Sequence, residues 1–153
     1  MGMNFADVLT TKISDVERPP LLPIGTYRAR VSKIPVTDTI ADGRFDVCDF
    51  TLQLQEAVEV DEDELAPFGD ITKQTIQHRF MFNTEDEANF KRTLFNLRRF
   101  LEEHLGCADD GDELKVALNN SVGSECLVDI SHRPDQNDPE VKYVQVRRTA
   151  PVE

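Results

Sequence analysis

The sequence predicts a mainly β fold with some α, a five-stranded Greek-key barrel with a helical segment between strands three and four. Three observations carry that expectation. Five runs alternate apolar and polar residues between turn-rich stretches. One long apolar stripe at helical spacing falls between the third and fourth runs. Finally, 153 residues, 39% of them hydrophobic, give room for one packed domain.

The chain divides into an N-terminal arm (1–23), a domain (24–150) and a short tail (151–153). In the arm, Phe5, Val8, Leu9 and Ile13 fall at roughly helical spacing, which predicts about one helical turn. Arg18-Pro19-Pro20 and Pro23 then break any regular element. Gly25 opens strand one, predicted over Thr26–Ile34, where Tyr27, Ala29 and Val31 alternate with Arg28, Arg30 and Ser32. Pro35 ends it, and Asp42-Gly43 marks a longish hairpin loop into strand two, Arg44–Val58. Cys48, Phe50, Leu52 and Leu54 share its inner face.

Glu59–Asp70 contains Asp61-Glu62-Asp63-Glu64, Pro67 and Gly69, and reads as a solvated loop. Strand three, Lys73–Phe82, turns Ile76, His78, Phe80 and Phe82 inward. Thr84-Glu85-Asp86-Glu87 has the form of a capping box, with Thr84 as the cap. The helix behind it carries Phe90, Leu94, Leu97, Leu101 and Leu105 as one stripe and stops at Gly106. A second, short helix around Leu114, Ala117 and Leu118 closes at Gly123. Strand four, Glu125–His132, points Val128 and Ile130 inward; strand five, Val141–Arg148, points Val144 and Val146 inward. Asn137-Asp138-Pro139 lies in the turn between them. This order of elements suits the oligonucleotide/oligosaccharide-binding (OB) barrel, and a five-stranded sheet covered by one helix would read the same way.

There are 29 acidic and 17 basic side chains, a net charge of −12, which on average repels nucleic acid. No apolar run approaches membrane length, so no membrane association is expected. With no signal-peptide pattern, and with Cys48, Cys107 and Cys126 unable all to pair, the expected setting is the cytoplasm. Partitioned by element, however, the charge is segregated. Arg28, Arg30 and Lys33 lie on strand one, Lys73 and Arg79 on strand three with its flanks, and Lys142, Arg147 and Arg148 on strand five. Those eight basic residues share their segments with no acid, and the remaining chain holds nine basic and all 29 acidic residues. Because salt screens charges beyond roughly 8–10 Å, such strands can attract phosphate locally on a negative molecule.

Single-strand binders of this architecture combine a cationic groove with flat side chains on which bases stack. The candidate nucleic-acid-binding residues are therefore Arg28, Arg30, Phe45, Gln53, Gln77, Arg79, Met81, Tyr143 and Arg147, with Gln145 beside them. Phe45 and Tyr143, out of phase with their strands' inward sets, are the stacking candidates; equally, Phe45 can cap a barrel end and Tyr143 cover its rim. Lys91, Arg92, Arg98 and Arg99 on the helix are expected to pair with its acids or to lie on a solvated surface.

Catalytic and metal chemistry is not expected. His104 and Cys107, and Cys126 and His132, do not repeat at ligand spacing. Asp61–Glu64 lacks a calcium loop's spaced oxygens and central glycine. No GxSxG, phosphate-cradling glycine loop or dinucleotide fingerprint occurs. His78, alternating with core positions, reads as a satisfied core or edge histidine. The expectation is a non-enzyme with no cofactor.

Three segments carry a resemblance: Phe5-Ala6-Asp7-Val8-Leu9; Leu22-Pro23-Ile24-Gly25-Thr26-Tyr27 leading into a strand; and Val122-Gly123 leading into Leu127-Val128-Asp129-Ile130. From about Leu22 to Pro151 the chain resembles the small phage-encoded OB-fold proteins that bind single-stranded DNA in phage replication and recombination modules. The resemblance implies a sequence-independent binder of single-stranded DNA acting in the infected cell's cytoplasm, with phage replication or recombination proteins as further partners. It differs from bacterial single-strand binders in showing neither a glycine-rich linker nor an acidic, phenylalanine-ended tail. A homodimer is expected over a monomer, since an edge strand or the arm can extend to a second copy. Two further readings stay open, a protein-interaction or virion-associated module and an acidic DNA mimic.

Overall fold

The computed structural model describes residues 5–10, 12–13, 21–138 and 140–152. The expected breaks at Arg18-Pro19-Pro20 and the Pro139 turn position lie outside them. The fold is mainly β, an open antiparallel sheet of six strands with helices in the long connections. In chain order the elements are α1 (Phe5–Val8), β1 (Gly25–Val31), β2 (Val36–Ile40), β3 (Phe45–Val60), α2 (Glu62–Leu65), β4 (Thr75–Asn83), α3 (Glu87–Arg99), α4 (Leu114–Asn120), β5 (Glu125–Pro134) and β6 (Lys142–Pro151).

Long β3 organises the sheet. β4 pairs along Phe45–Gln53 on one edge, while on the other β2 pairs along Phe45–Asp49 and β1 along Leu52–Val60. β1 and β2 thus follow the same edge of β3, interrupted at residues 32–35, where Ser32 still donates its amide to the Thr51 carbonyl. β1 also pairs with β5, and β5 with β6. From end to end the sheet reads β4-β3-β1-β5-β6. The end strands approach each other but share no ladder among the described residues.

β2 is a correction, since Val36–Ile40 was expected to be loop and the strand total is six. All of β2 but Ile40 is exposed, so no buried face imposes an apolar signal. The turn after it is tight: Ala41 and Asp42 adopt positive φ (54° and 57°), Gly43 follows at 88°, and Arg44 donates to the Ala41 carbonyl. A second correction concerns the acidic loop, where Asp61 caps α2 by accepting from the amides of Asp63 and Glu64. A third is the cap of α3, which is Asp86, accepting from the Asn89 amide. Thr84 instead donates its hydroxyl to the carbonyls of Gly43 and Arg44, tying the helix approach to the β2–β3 turn.

The core is built from the inward positions of every long strand. Tyr27, Phe50, Leu52, Leu54, Cys126 and Val128 are fully buried, each worth roughly 1.5–3 kcal/mol if large and apolar. The helical stripe covers them with Leu97, Leu101 and Leu105, while Leu94 stays exposed. Beyond Arg99 the helix widens into one π-helical turn, Phe100–His104, where the Leu105 amide reaches back five residues to the Phe100 carbonyl. That turn sets Phe100 into an aromatic cluster, its ring 4.9 Å from Phe50 and 5.5 Å from Phe80. Among the described residues no helix is long and apolar enough to cross a membrane. Cys48, Cys107 and Cys126 are free thiols, and burial pushes Cys48 up to about 11 and Cys126 up to about 12.

Candidate functional site

Along β4-β3-β1-β5-β6 charge alternates from strand to strand, while β2, with Asp38, lies beside acid-bearing β3. β4, β1 and β6 carry basic residues and no acid; β3 carries four acids and no base, and β5 carries Glu125 and Asp129 along its paired length with β1, with Arg133 beyond them. The ladders place these opposite charges side by side. Arg79 of β4 pairs with Asp49 of β3, Arg28 of β1 with Glu56 of β3 and Glu125 of β5, and Arg148 of β6 with Asp129 of β5. The acid-free strands read from the sequence are therefore one half of a cross-strand pairing pattern.

This pattern separates the expected site residues. Arg28 and Arg30 point outward from β1. Arg28 is half-buried between its two carboxylates, whereas Arg30 is exposed; among the described residues the Arg28 Nε has no hydrogen-bond partner and Arg30 makes no ion pair. Gln53 donates to the Thr72 carbonyl, and Gln77 hydrogen-bonds the Thr51 hydroxyl. Phe45 starts β3 half-buried, with the Arg44 guanidinium 5.4 Å from its ring centre. Tyr143 is exposed near the β5–β6 connection and donates its hydroxyl to Asp135. Gln145 donates to the Ser131 hydroxyl.

Arg79, Met81 and Arg147 come together. They line a cleft of about 440 Å³ where the end strands β4 and β6 meet beneath α3, with Arg99, Arg148, Thr93 and Asn96 on the same walls and His78, Phe100 and His104 at its base. Four arginines line it and no carboxylate does. The reason lies in the strand order: β4 and β6 each have an acidic neighbour on one side only, so the seam between them inherits two basic strands. Arg147 has no hydrogen-bond or ion-pair partner among the described residues. Arg79, Arg99 and Arg148 each engage one carboxylate outside the cleft walls. A guanidinium has five N–H donors, so each keeps donors for a second anion.

The two histidines of the cleft, His78 and His104, are both held below the ordinary histidine value. Burial against Phe80 and Phe100 pushes His78 down to about 4, with His104 adding to the effect. His104 is also lowered, by burial and then by Arg99, and its Nδ1 lies 2.6 Å from the Thr149 hydroxyl, linking the π turn to β6. The arginines thus supply the cleft's charge, while Met81 and the aromatic base supply apolar surface.

Arg99, Arg148, Thr93 and Asn96 were missed from sequence. Arg99 pairs with Glu103 as expected, and Lys91 with Glu87 and Arg98 with Glu102 likewise; the helix's position over the seam has no local signal. Among the described residues no group of three or more acidic, histidine or cysteine side chains is arranged to hold a metal ion. Compared with known proteins, the chain matches no family profile and no curated sequence.

Proposed function

We propose that the chain is a non-enzymatic, sequence-tolerant single-stranded DNA-binding protein on an OB-type Greek-key barrel, related to the phage replication and recombination proteins it resembles. The observation that carries this reading is the carboxylate-free cleft with four arginines on a molecule of charge −12. An anionic ligand is repelled by most of the surface and attracted at this seam. The strand order supports the fold reading: β1 and β2 act as one interrupted first strand, β3 and β4 follow, the helix comes next, and β5 and β6 complete the OB order. Arg79, Arg99, Arg147 and Arg148 hold phosphates, and Met81 offers a base an apolar contact.

Titrating a fluorescent oligo-dT tests it. About four phosphate contacts on a single strand correspond to a log–log salt slope near −3, or about 50-fold weaker binding from about 50 to about 200 mM salt. Saturable micromolar binding with that dependence is expected. No saturable binding, or binding indifferent to salt, overturns the reading.

A further inference from the structure

We infer that a trough over α3 and α4 is a docking site for a cationic amphipathic helix of a protein partner. A cavity of about 490 Å³ opens there on Leu94, Phe95 and Leu114, which are 40%, 58% and 42% exposed. A second cavity of about 590 Å³, reaching towards β2, shares Leu94 and Leu114 with it. An apolar floor of this kind marks a contact surface.

Its rim is negative. Glu102, Asp109, Asp110 and Asp112 line the first cavity and Asp38 and Asp46 the second. The opposing cations, Lys91 and Arg98, are already engaged by Glu87 and by Glu102 and Asp110. The occupant that satisfies both floor and rim is a helix with apolar residues at i, i+3 and i+4 and lysine or arginine along its flanks. Nucleic acid is repelled by that rim. A second copy of the chain is a poor fit: α1 has no basic residue in its last turn, and the cations of α3 that form ion pairs are held by acids in α3, the π turn and the loop after it. The protein thus presents a cationic seam to phosphate and, elsewhere, an anionic apolar trough to protein.

A labelled helical peptide of about 14 residues, built from leucine and lysine in an amphipathic pattern, tests this on the full chain, with its leucine–glutamate counterpart as control. The lysine peptide should bind saturably and the glutamate peptide should not. Amide shift changes should centre on residues 94–98 and 109–114, and Phe95→Asp should weaken binding about tenfold or more while leaving the melting curve and oligo-dT affinity unchanged. Equal binding by Phe95→Asp, or shift changes centred on Asp61–Glu64, overturns the proposal. So does a wild-type dimer in sedimentation that Phe95→Asp converts to monomer, since the trough then serves a second copy.

Discussion

Arg79 of β4 and Asp49 of β3 stand opposite each other in register and join through two hydrogen bonds, Nε to Oδ1 at 2.6 Å and Nη2 to Oδ2 at 2.9 Å. The fork-to-fork contact fixes the guanidinium plane at the edge of the seam and offsets part of its charge. Asp49→Asn should therefore strengthen oligo-dT binding by about threefold to tenfold at low salt. Because the Arg79 side chain is 46% exposed, the cost in stability should stay below about 1 kcal/mol. Titration and urea melts of the variant measure both, and an unchanged affinity removes Arg79 from the phosphate contacts.

Arg147 forms no hydrogen bond or ion pair among the described residues and touches the sheet's acids only through its longer-range pull on Asp129. Arg147→Ala should lower the magnitude of the salt slope by about 0.7, the value of one single-strand phosphate contact, with no change in melting temperature. Lys115→Ala, on the exposed face of α4, should leave the slope as it is. Identical slopes for the two variants would place the strand elsewhere.

His78 makes stability depend on pH. Its folded value near 4 lies below the ordinary 6.5, so the unfolded chain takes up a proton that the folded chain refuses. The contribution is complete above about pH 6.5 and is lost as pH falls toward 4, by up to about 3 kcal/mol. Asp70, Asp129 and Asp135, held low by hydrogen bonds, destabilise only at more acid pH. Urea melts at pH 7 and pH 4.5 should show a marked drop for the wild type and a smaller one for His78→Phe. Equal drops would assign the dependence to other groups.

Gly25 begins β1 with φ at 154°, and a Cβ there would sit 2.4 Å from the Glu59 carbonyl oxygen and 2.8 Å from Val60 Cγ2. Backbone cannot yield as a long side chain does. Gly25→Ala should cost about 2 kcal/mol or more, from overpacking and strain together. Gly43→Ala meets nothing within 4 Å and should cost about 1 kcal/mol, for its positive φ alone. Thermal melts rank the two, and a reversed order would mean that β1 shifts to make room.

Alternation made β1, β3, β4, β5 and β6 legible because each buries one face. Tyr27-Ala29-Val31 and Cys126-Val128-Ile130 show this in its plainest form. β2 was illegible because both its faces meet water along most of its length. Asp86 was masked as a helix cap by Thr84, whose hydroxyl answers to carbonyls some forty residues away. The grouping of the candidate site residues was illegible for a related reason. Arg28 and Arg79 are recognisable as outward-facing from their own strands, but the acids that engage them sit on neighbours that only the ladder identifies. The seam itself depends on which strands end the sheet, a property of topology rather than of any window of sequence.

The alternation of sign also acts as a rule of adjacency. Each ladder from β4 through β3, β1 and β5 to β6 joins an acid-bearing strand to a basic one, and oppositely charged cross-strand pairs contribute roughly 0.2–1 kcal/mol each where like charges repel. A misfolded sheet with β3 against β5, or β1 against β4, would set strands of mostly like charge side by side. The same rule disfavours the one remaining union, β4 with β6. The alternation that favours these neighbours also sets two basic strands at the last seam, and the single strand proposed to lie along it would supply the negative partner that the sheet lacks.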